Sequence, residues 1–141
     1  QLLIGDLPAA EETFAAAAEK EGGKAHARRN HGLLLFAKRR FPEAQEEFES
    51  MARSSPGDRV AINNRAVCQM YVCELGAGIR ELEDALNSRP FEHLCEPVAA
   101  NLALLYELSL SGAAGEAKRQ LSNWALSFAP SDFNPTCMRN A

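Results

Sequence analysis

Apolar residues recur along most of the chain at intervals of three and four positions. Leu33 and Phe36 form one such set, and Phe41, Ala44 and Phe48 form the next. This spacing places the apolar side chains on one face of an α-helix. No stretch of useful length alternates with the period of two that marks a half-buried strand. The pattern therefore predicts helices that each bury one face.

The composition points the same way. The 141 residues include 24 alanines and 17 leucines but only nine residues of Val, Ile and Thr. Alanine and leucine favour helices, whereas β-branched residues favour strands. The sequence therefore predicts an all-α protein.

The net charge, the length of the apolar runs and the spacing of the cysteines argue against several classes of function. Fifteen Lys and Arg against nineteen Asp and Glu give a net charge of -4, so nucleic acid is not an expected partner. No apolar run approaches the roughly 18 to 20 residues of a membrane span. The four cysteines include no Cys-x-x-Cys pair, so we expect no metal site and a reducing, cytoplasmic setting.

The chain also repeats itself at a spacing of 34 residues. Four columns coincide in one register: Leu7, Phe41 and Leu75; Ala10, Ala44 and Gly78; Phe14, Phe48 and Leu82; and Ala17, Met51 and Ala85. Pro56 and Pro90 follow at the same spacing. A 34-residue unit with a bulky, a small, an aromatic and a second small position, closed by proline, resembles the tetratricopeptide repeat.

This resemblance implies an α-solenoid of antiparallel helix pairs, with about three and a half repeats plus a C-terminal capping tail. Asp6 and Asp58 are predicted N-caps, and Gly22-Gly23 is a predicted helix break. The tail is expected to fold back on the last pair, and the chain to be a fragment of a longer protein. The predicted segments are a partial repeat 1–24, repeats 25–58 and 59–92, a helix pair 93–129 and the tail 130–141.

In this repeat family the first helix of each pair lines a groove that binds partners. The groove residues implied here are His26, Arg29, Leu33, Phe36, Asn63, Asn64, Val67, Met70, Asn101, Leu104 and Glu107. Asn30, Asn64 and Asn101 recur at one repeat position, where an amide can hold a ligand backbone or brace the neighbouring helix. Chaperone-binding members clamp a carboxylate with Lys and Asn. Here those positions hold Arg29, Leu33, Asn64, Pro97 and Asn101, so the clamp is largely absent.

No catalytic constellation emerges from the residues. His26, His31 and His93 lack the spacing of metal ligands, and His31 is expected to be a partly buried side chain on a packing face. Cys68 lies among apolar residues and is predicted to be buried. Lys38-Arg39-Arg40 reads as a solvated loop, with contact to an acidic partner as the alternative. We therefore predict a protein that is not an enzyme and uses no cofactor or small-molecule substrate.

Stretches outside the repeat signature carry a narrower resemblance. The block from Asn63 to Tyr71, the block from Asn101 to Leu108 and the ending from Ser131 to Ala141 are similar to the subunit 12 family of the trafficking protein particle (TRAPP) complexes. This resemblance implies a scaffold that binds other TRAPP subunits and supports Rab GTPase activation in ER-to-Golgi transport and autophagy. It implies peripheral association with ER–Golgi intermediate and Golgi membranes through the complex, without membrane insertion. The alternative is a tetratricopeptide-repeat adaptor that binds a peptide or helix of another partner, such as a chaperone.

Overall fold

The computed structural model describes Leu2 and residues 5–19, 23–109 and 112–139, with the backbone alone at 23–25. Over these ranges the chain is helical and contains no strand, which confirms the predicted all-α class. The α-helices are α1 (Leu7–Ala18), α2 (Gly23–Ala37), α3 (Phe41–Ser54), α4 (Arg59–Tyr71), α5 (Leu75–Ser88), α6 (Pro90–His93), α7 (Glu96–Ser109) and α8 (Ala114–Ala125). A 3-10 helix, Pro135–Met138, follows near the C-terminus.

The chain divides into two compact units, which we call unit 1 (Gln1–Val72) and unit 2 (Cys73–Ala141). In unit 1, α2 packs against α1 and α3, and α3 packs against α4. In unit 2, α7 is the central element, and α5, α8 and the 3-10 helix pack against it. The unit boundary falls inside the predicted repeat 59–92, and the repeat boundaries stay a prediction.

Two helices begin where aspartates cap them, as the sequence predicted. The Asp6 carboxylate accepts a hydrogen bond from the Ala9 N–H (3.2 Å) at the start of α1. Asp58 accepts from Val60 N–H (2.9 Å) and Ala61 N–H (3.2 Å) at the start of α4. Each cap satisfies backbone donors that have no partner within the helix.

The predicted break at Gly22-Gly23 needs a correction. Gly23 is the first residue of α2 and does not belong to a break, whereas Gly22 lies outside the described residues. The 4-residue helix α6 was not predicted, because a single turn has no apolar period to detect.

A left-handed residue closes α2. Arg40 N–H donates to the Leu35 carbonyl and Arg39 N–H to the Phe36 carbonyl, both at 2.9 Å. This is the paired bonding of a Schellman motif, with Arg39 at φ 60 in the position that glycine usually takes. The Lys38-Arg39-Arg40 segment is thus an exposed helix terminus, in which Lys38 pairs with Glu11 and Arg40 with Glu43.

The core of unit 1 centres on Phe48 of α3. Its side chain is 1% exposed and packs with the buried residues Leu35, Ala44 and Cys68. Gly32 of α2 faces the same ring, and a Cβ atom built there would lie 2.8 Å from Phe48 Cζ. The close approach of α2 and α3 therefore depends on glycine at this position.

Unit 2 builds its core around α7 instead. Six residues of that helix are buried, namely Val98, Ala99, Leu102, Ala103, Leu105 and Tyr106. The tail after α8 turns back, so that Met138 is 2% exposed and the Asn134 N–H donates to Glu96 Oε1 at 3.0 Å. This is the fold-back that the sequence predicted for the tail.

Candidate functional site

Unit 1 contains a small apolar cavity between α2, α3 and α4. Its volume is about 90 Å³, and it is lined by Leu33, Phe36, Phe48, Asn64 and Val67. Four of these five residues belong to the predicted groove, and the fifth, Phe48, lies on α3. The structure therefore brings Leu33, Phe36, Asn64 and Val67 together, which the linear sequence only implied through the repeat.

The side-chain amide of Asn64, which lines the cavity, lies beside that of Asn63. Asn63 Nδ2 donates to Asn64 Oδ1 over 3.4 Å, a long and therefore weak hydrogen bond. Both asparagines are half-buried on α4, as are Val67 and Met70. These four residues lie near one face of α4, so an apolar ligand segment with backbone donors or acceptors would find both kinds of contact there.

The polar side chains of α2 include two predicted groove residues and one residue, His31, whose placement differs from the prediction. His26 is exposed and Arg29 is half-buried. His31 was expected to be partly buried on a packing face, but its side chain is 55% exposed and its Nδ1 donates to Glu47 Oε1 at 3.1 Å. Arg28, one turn earlier, also pairs with Glu47 across α2 and α3. Arg28 and His31 thus face Glu47 at the surface of α2 and α3.

Cys68 is a core residue, as predicted. It has no exposed surface, and burial raises the pKa of its thiol to about 12. A thiol held neutral in this way is a poor nucleophile. Cys68 therefore belongs to the packing of unit 1 and not to a reactive site.

Three aromatic rings cluster near the C-terminal end of α2. Phe41 and Tyr71 are stacked with centroids 4.4 Å apart, and Phe36 meets both rings edge-on at 5.1 and 5.2 Å. Tyr71 remains 50% exposed. The cluster joins α2, α3 and α4 at one end of unit 1.

The remaining predicted groove residues, Asn101, Leu104 and Glu107, lie on α7 in unit 2. Asn101 and Leu104 are half-buried, and Glu107 pairs with Lys118 of α8 at 3.3 Å. Neither of the two pockets described in unit 2 is lined by Asn101 or Leu104. Of the eleven predicted groove residues, Leu33, Phe36, Asn64 and Val67 therefore line one cavity, which lies in unit 1.

A pocket that the sequence did not reveal lies on the other face of α7. It has a volume of about 180 Å³ and is lined by residues of α5, α7 and α8, including Leu102 and Tyr106. At 100° per residue, these two positions point away from Asn101, Leu104 and Glu107. Trp124, the one tryptophan of the chain, is the sequence feature that could have drawn attention to it.

One hydrogen bond organises this pocket. The Tyr106 hydroxyl donates to Glu83 Oε1 at 2.6 Å. Burial, together with the hydrogen bond and the charge of Glu83, holds the pKa of Tyr106 above its ordinary value. The hydroxyl therefore stays protonated at neutral pH and orients one oxygen of the carboxylate.

Within the ranges that the structure describes, no group of three or more His, Cys, Asp or Glu side chains could hold a metal ion. None of the described helices is both long and apolar enough to cross a bilayer.

Comparison with known proteins supports the narrower of the two resemblances. The chain is 32% identical to trafficking protein particle complex subunit 12 of Mus musculus, over 99% of this chain and 18% of that protein. It is also 32% identical to subunit 12 of Homo sapiens, over 99% of this chain and 20% of that protein. The chain thus spans about a fifth of the length of these relatives, and the predicted resemblance to subunit 12 is confirmed.

The comparisons with family models and with solved structures add no family. No family model matches the chain. No solved structure matches it either.

Proposed function

We propose that this chain, similar over nearly its whole length to a segment of TRAPP subunit 12, is a non-catalytic scaffold segment that binds other subunits of a TRAPP complex. The observation that carries this proposal is the 32% identity over 99% of the chain. The match extends through the segments outside the repeat signature, so it does not depend on a repeat pattern that many unrelated proteins share.

The geometry of unit 1 supports a role in protein binding. Its cavity of about 90 Å³ is far smaller than the roughly 300–1,000 Å³ of sites for drug-sized molecules. An apolar side chain of a partner helix fits this scale. Asn64, which lines the cavity, and the adjacent Asn63 would meet the partner's polar backbone or amide groups.

Membership of the complex would give the chain a wider role. A scaffold of this kind would support Rab GTPase activation in ER-to-Golgi transport and autophagy, and would reach Golgi and intermediate-compartment membranes through its partners. The exchange chemistry itself would belong to other subunits.

Co-purification from cells tests the proposal. The chain is expressed with a tag beside the double variant Asn64→Ala/Met70→Asp, which removes an amide and places a charge on the α4 face. The matched control is Thr13→Ala/Ala16→Asp, which likewise removes a neutral polar group and adds one negative charge, at exposed positions of α1. Circular dichroism checks that all three proteins are folded.

We expect TRAPP subunits to be recovered with the unaltered chain and with the control, but not with the α4 variant. Recovery with all three proteins would keep the scaffold role and reject the α4 face as the contact. Recovery of a chaperone or another peptide-bearing protein without TRAPP subunits would contradict the proposal and favour the adaptor.

A further inference from the structure

The pocket of unit 2 presents an acidic group in an otherwise neutral surrounding. Eight residues line it: three leucines, two amide side chains, Tyr106, Trp124 and Glu83. Glu83 is therefore the only charged side chain among them. It is half-buried, and no Lys, Arg or His in the described part of the chain forms an ion pair with it.

Arg80, one turn before Glu83 on α5, extends toward the preceding turn, because a Cβ atom built at Gly76 would lie 3.4 Å from its Nη1. Two other arginines of unit 2 are paired with other carboxylates. Arg89 pairs with Glu92 at 3.2 Å, and Arg119 pairs with Glu116. Tyr106 occupies one carboxylate oxygen of Glu83. Partial burial at this site weakens the screening by water, so a cation beside the carboxylate would be held more strongly than on an open surface.

We propose that this pocket, lined by Glu83, Tyr106 and Trp124, binds an arginine side chain of a protein partner. A guanidinium is planar and presents several N–H donors, so it can bond a carboxylate and lie against an aromatic ring together. Asn87 and Gln120 add amide oxygens that accept the remaining donors. The leucines provide an apolar wall for the methylene stem of arginine.

The size of the pocket agrees with a single side chain. Its volume of about 180 Å³ lies below the roughly 300 Å³ at which sites for small molecules begin. The surface around it is also suited to a protein. Trp124 packs on Phe128, which meets Phe91, and Phe91 is 79% exposed. Aromatic residues of this kind are enriched at protein–protein interfaces.

This inference concerns a face of unit 2 distinct from the α4 face of the proposed function, and it does not require that the partner be a TRAPP subunit. The failure of one proposal therefore leaves the other open to its own test.

The test uses Trp124 as its reporter, because it is the one tryptophan among the 141 residues. The peptide acetyl-Ala-Arg-Ala-amide is titrated into the purified chain while tryptophan fluorescence is followed. The matched probe is the same peptide with citrulline, which keeps the shape of arginine but has no charge. We expect a saturable change with arginine and binding at least about tenfold weaker with citrulline.

A pair of variants localises the charge. Glu83→Gln removes the negative charge and keeps an oxygen for the Tyr106 hydroxyl, and we expect it to weaken arginine binding at least about tenfold. Asp84→Asn makes the same change at the next, exposed residue of α5, outside the pocket, and we expect an effect within about twofold. Thermal melts establish that both variants fold.

Equal responses to the arginine and citrulline peptides would overturn the proposal, and this comparison needs no variant to fold. Equal loss in Glu83→Gln and Asp84→Asn would also overturn it, because the effect would then be a general one of net charge.

Discussion

The two units bury their apolar surface in different ways. In unit 1 the central side chain is Phe48, an aromatic residue on the second helix of a predicted pair, and the first helix approaches it through Gly32. In unit 2 the centre is α7, the first helix of its pair, which buries six residues. Its tail then adds Met138 from outside any repeat.

The contrast shows what the repeat signature reports. Its columns mark second-helix positions, and several are buried in both units, including Phe48, Leu82 and Ala85. The signature says little about the first helices. The predicted pattern gives α2 and α7 equivalent places. Yet α2 carries Arg28 and His31 on its surface, whereas α7 is apolar on most sides.

The largest effect is expected at the centre of unit 1. Phe48→Ala should lower the free energy of unfolding by about 3–5 kcal/mol, because it removes a buried ring and leaves a cavity between α2 and α3. Urea denaturation followed by circular dichroism measures the loss. Phe91→Ala in unit 2 is the control, since an exposed ring should change stability by less than about 0.5 kcal/mol. Similar losses in both variants would reject Phe48 as the core residue.

The tail of unit 2 should come next. Met138→Ala is expected to cost about 2–3 kcal/mol, near the lower end for buried methionine, since a single turn of 3-10 helix can partly close the gap. Arg139→Ala, at the exposed neighbouring residue, should leave the melting temperature nearly unchanged. An unchanged melt for Met138→Ala would mean that the tail does not contribute to the core of unit 2.

Glycine-to-alanine changes should have opposite signs in the two units. Gly32→Ala should destabilise by about 1–3 kcal/mol, because the new methyl group would lie 2.8 Å from Cζ of the buried Phe48 ring, which must then shift. A Cβ atom added at Gly115 of α8 would meet no neighbouring residue within 4 Å. Gly115→Ala should therefore stabilise by about 0.4–1 kcal/mol.

Chemical denaturation of both glycine variants measures the difference. Stabilisation by Gly32→Ala would contradict the close contact of α2 with α3. Adding Phe48→Leu to Gly32→Ala should return part of the lost stability, because the smaller side chain makes room for the methyl group.

The smallest effect concerns pH and Cys68. Burial raises the pKa of this thiol from its ordinary value of 9.0 to about 12 in the folded chain. Between these values the unfolded chain releases the proton and the folded chain keeps it, so stability falls as pH rises above about 9. The loss should stay below about 1 kcal/mol at pH 9.5.

Denaturation at pH 7 and pH 9.5 isolates this contribution when Cys68→Ala is compared with the unaltered chain. The variant should lose less stability on the change of pH. Cys73→Ala, which alters an exposed thiol of unit 2, should behave like the unaltered chain. A pH dependence removed by Cys73→Ala and not by Cys68→Ala would contradict the assignment.

Local information in the chain was sufficient for the longer helices and for the starts of α1 and α4. The apolar period predicted helices over nearly all the ranges where they occur, and Asp6 and Asp58 form the predicted caps. Both features depend on neighbours within about four residues, so the order of residues contains them. The confirmed resemblance to subunit 12 likewise rests on the order of residues alone.

The candidate sites were accessible only in part. Leu33, Phe36, Asn64 and Val67 could be grouped because the repeat register aligns α2 with α4, and they do line one cavity. The exposed position of His31 was missed, because its surroundings include Glu47 from another helix. No spacing rule connects Glu83, Tyr106 and Trp124, which come from three helices of unit 2.

Sequence order thus accounts for where the chain is helical, which faces are apolar and which family segment it resembles. It could not decide which helix becomes the centre of each unit, or which charged side chain is left half-buried without an ion partner. Those outcomes depend on close packing between residues far apart in the chain. A glycine opposite an aromatic ring, or a tyrosine within 2.6 Å of a carboxylate, exists only once the helices have met.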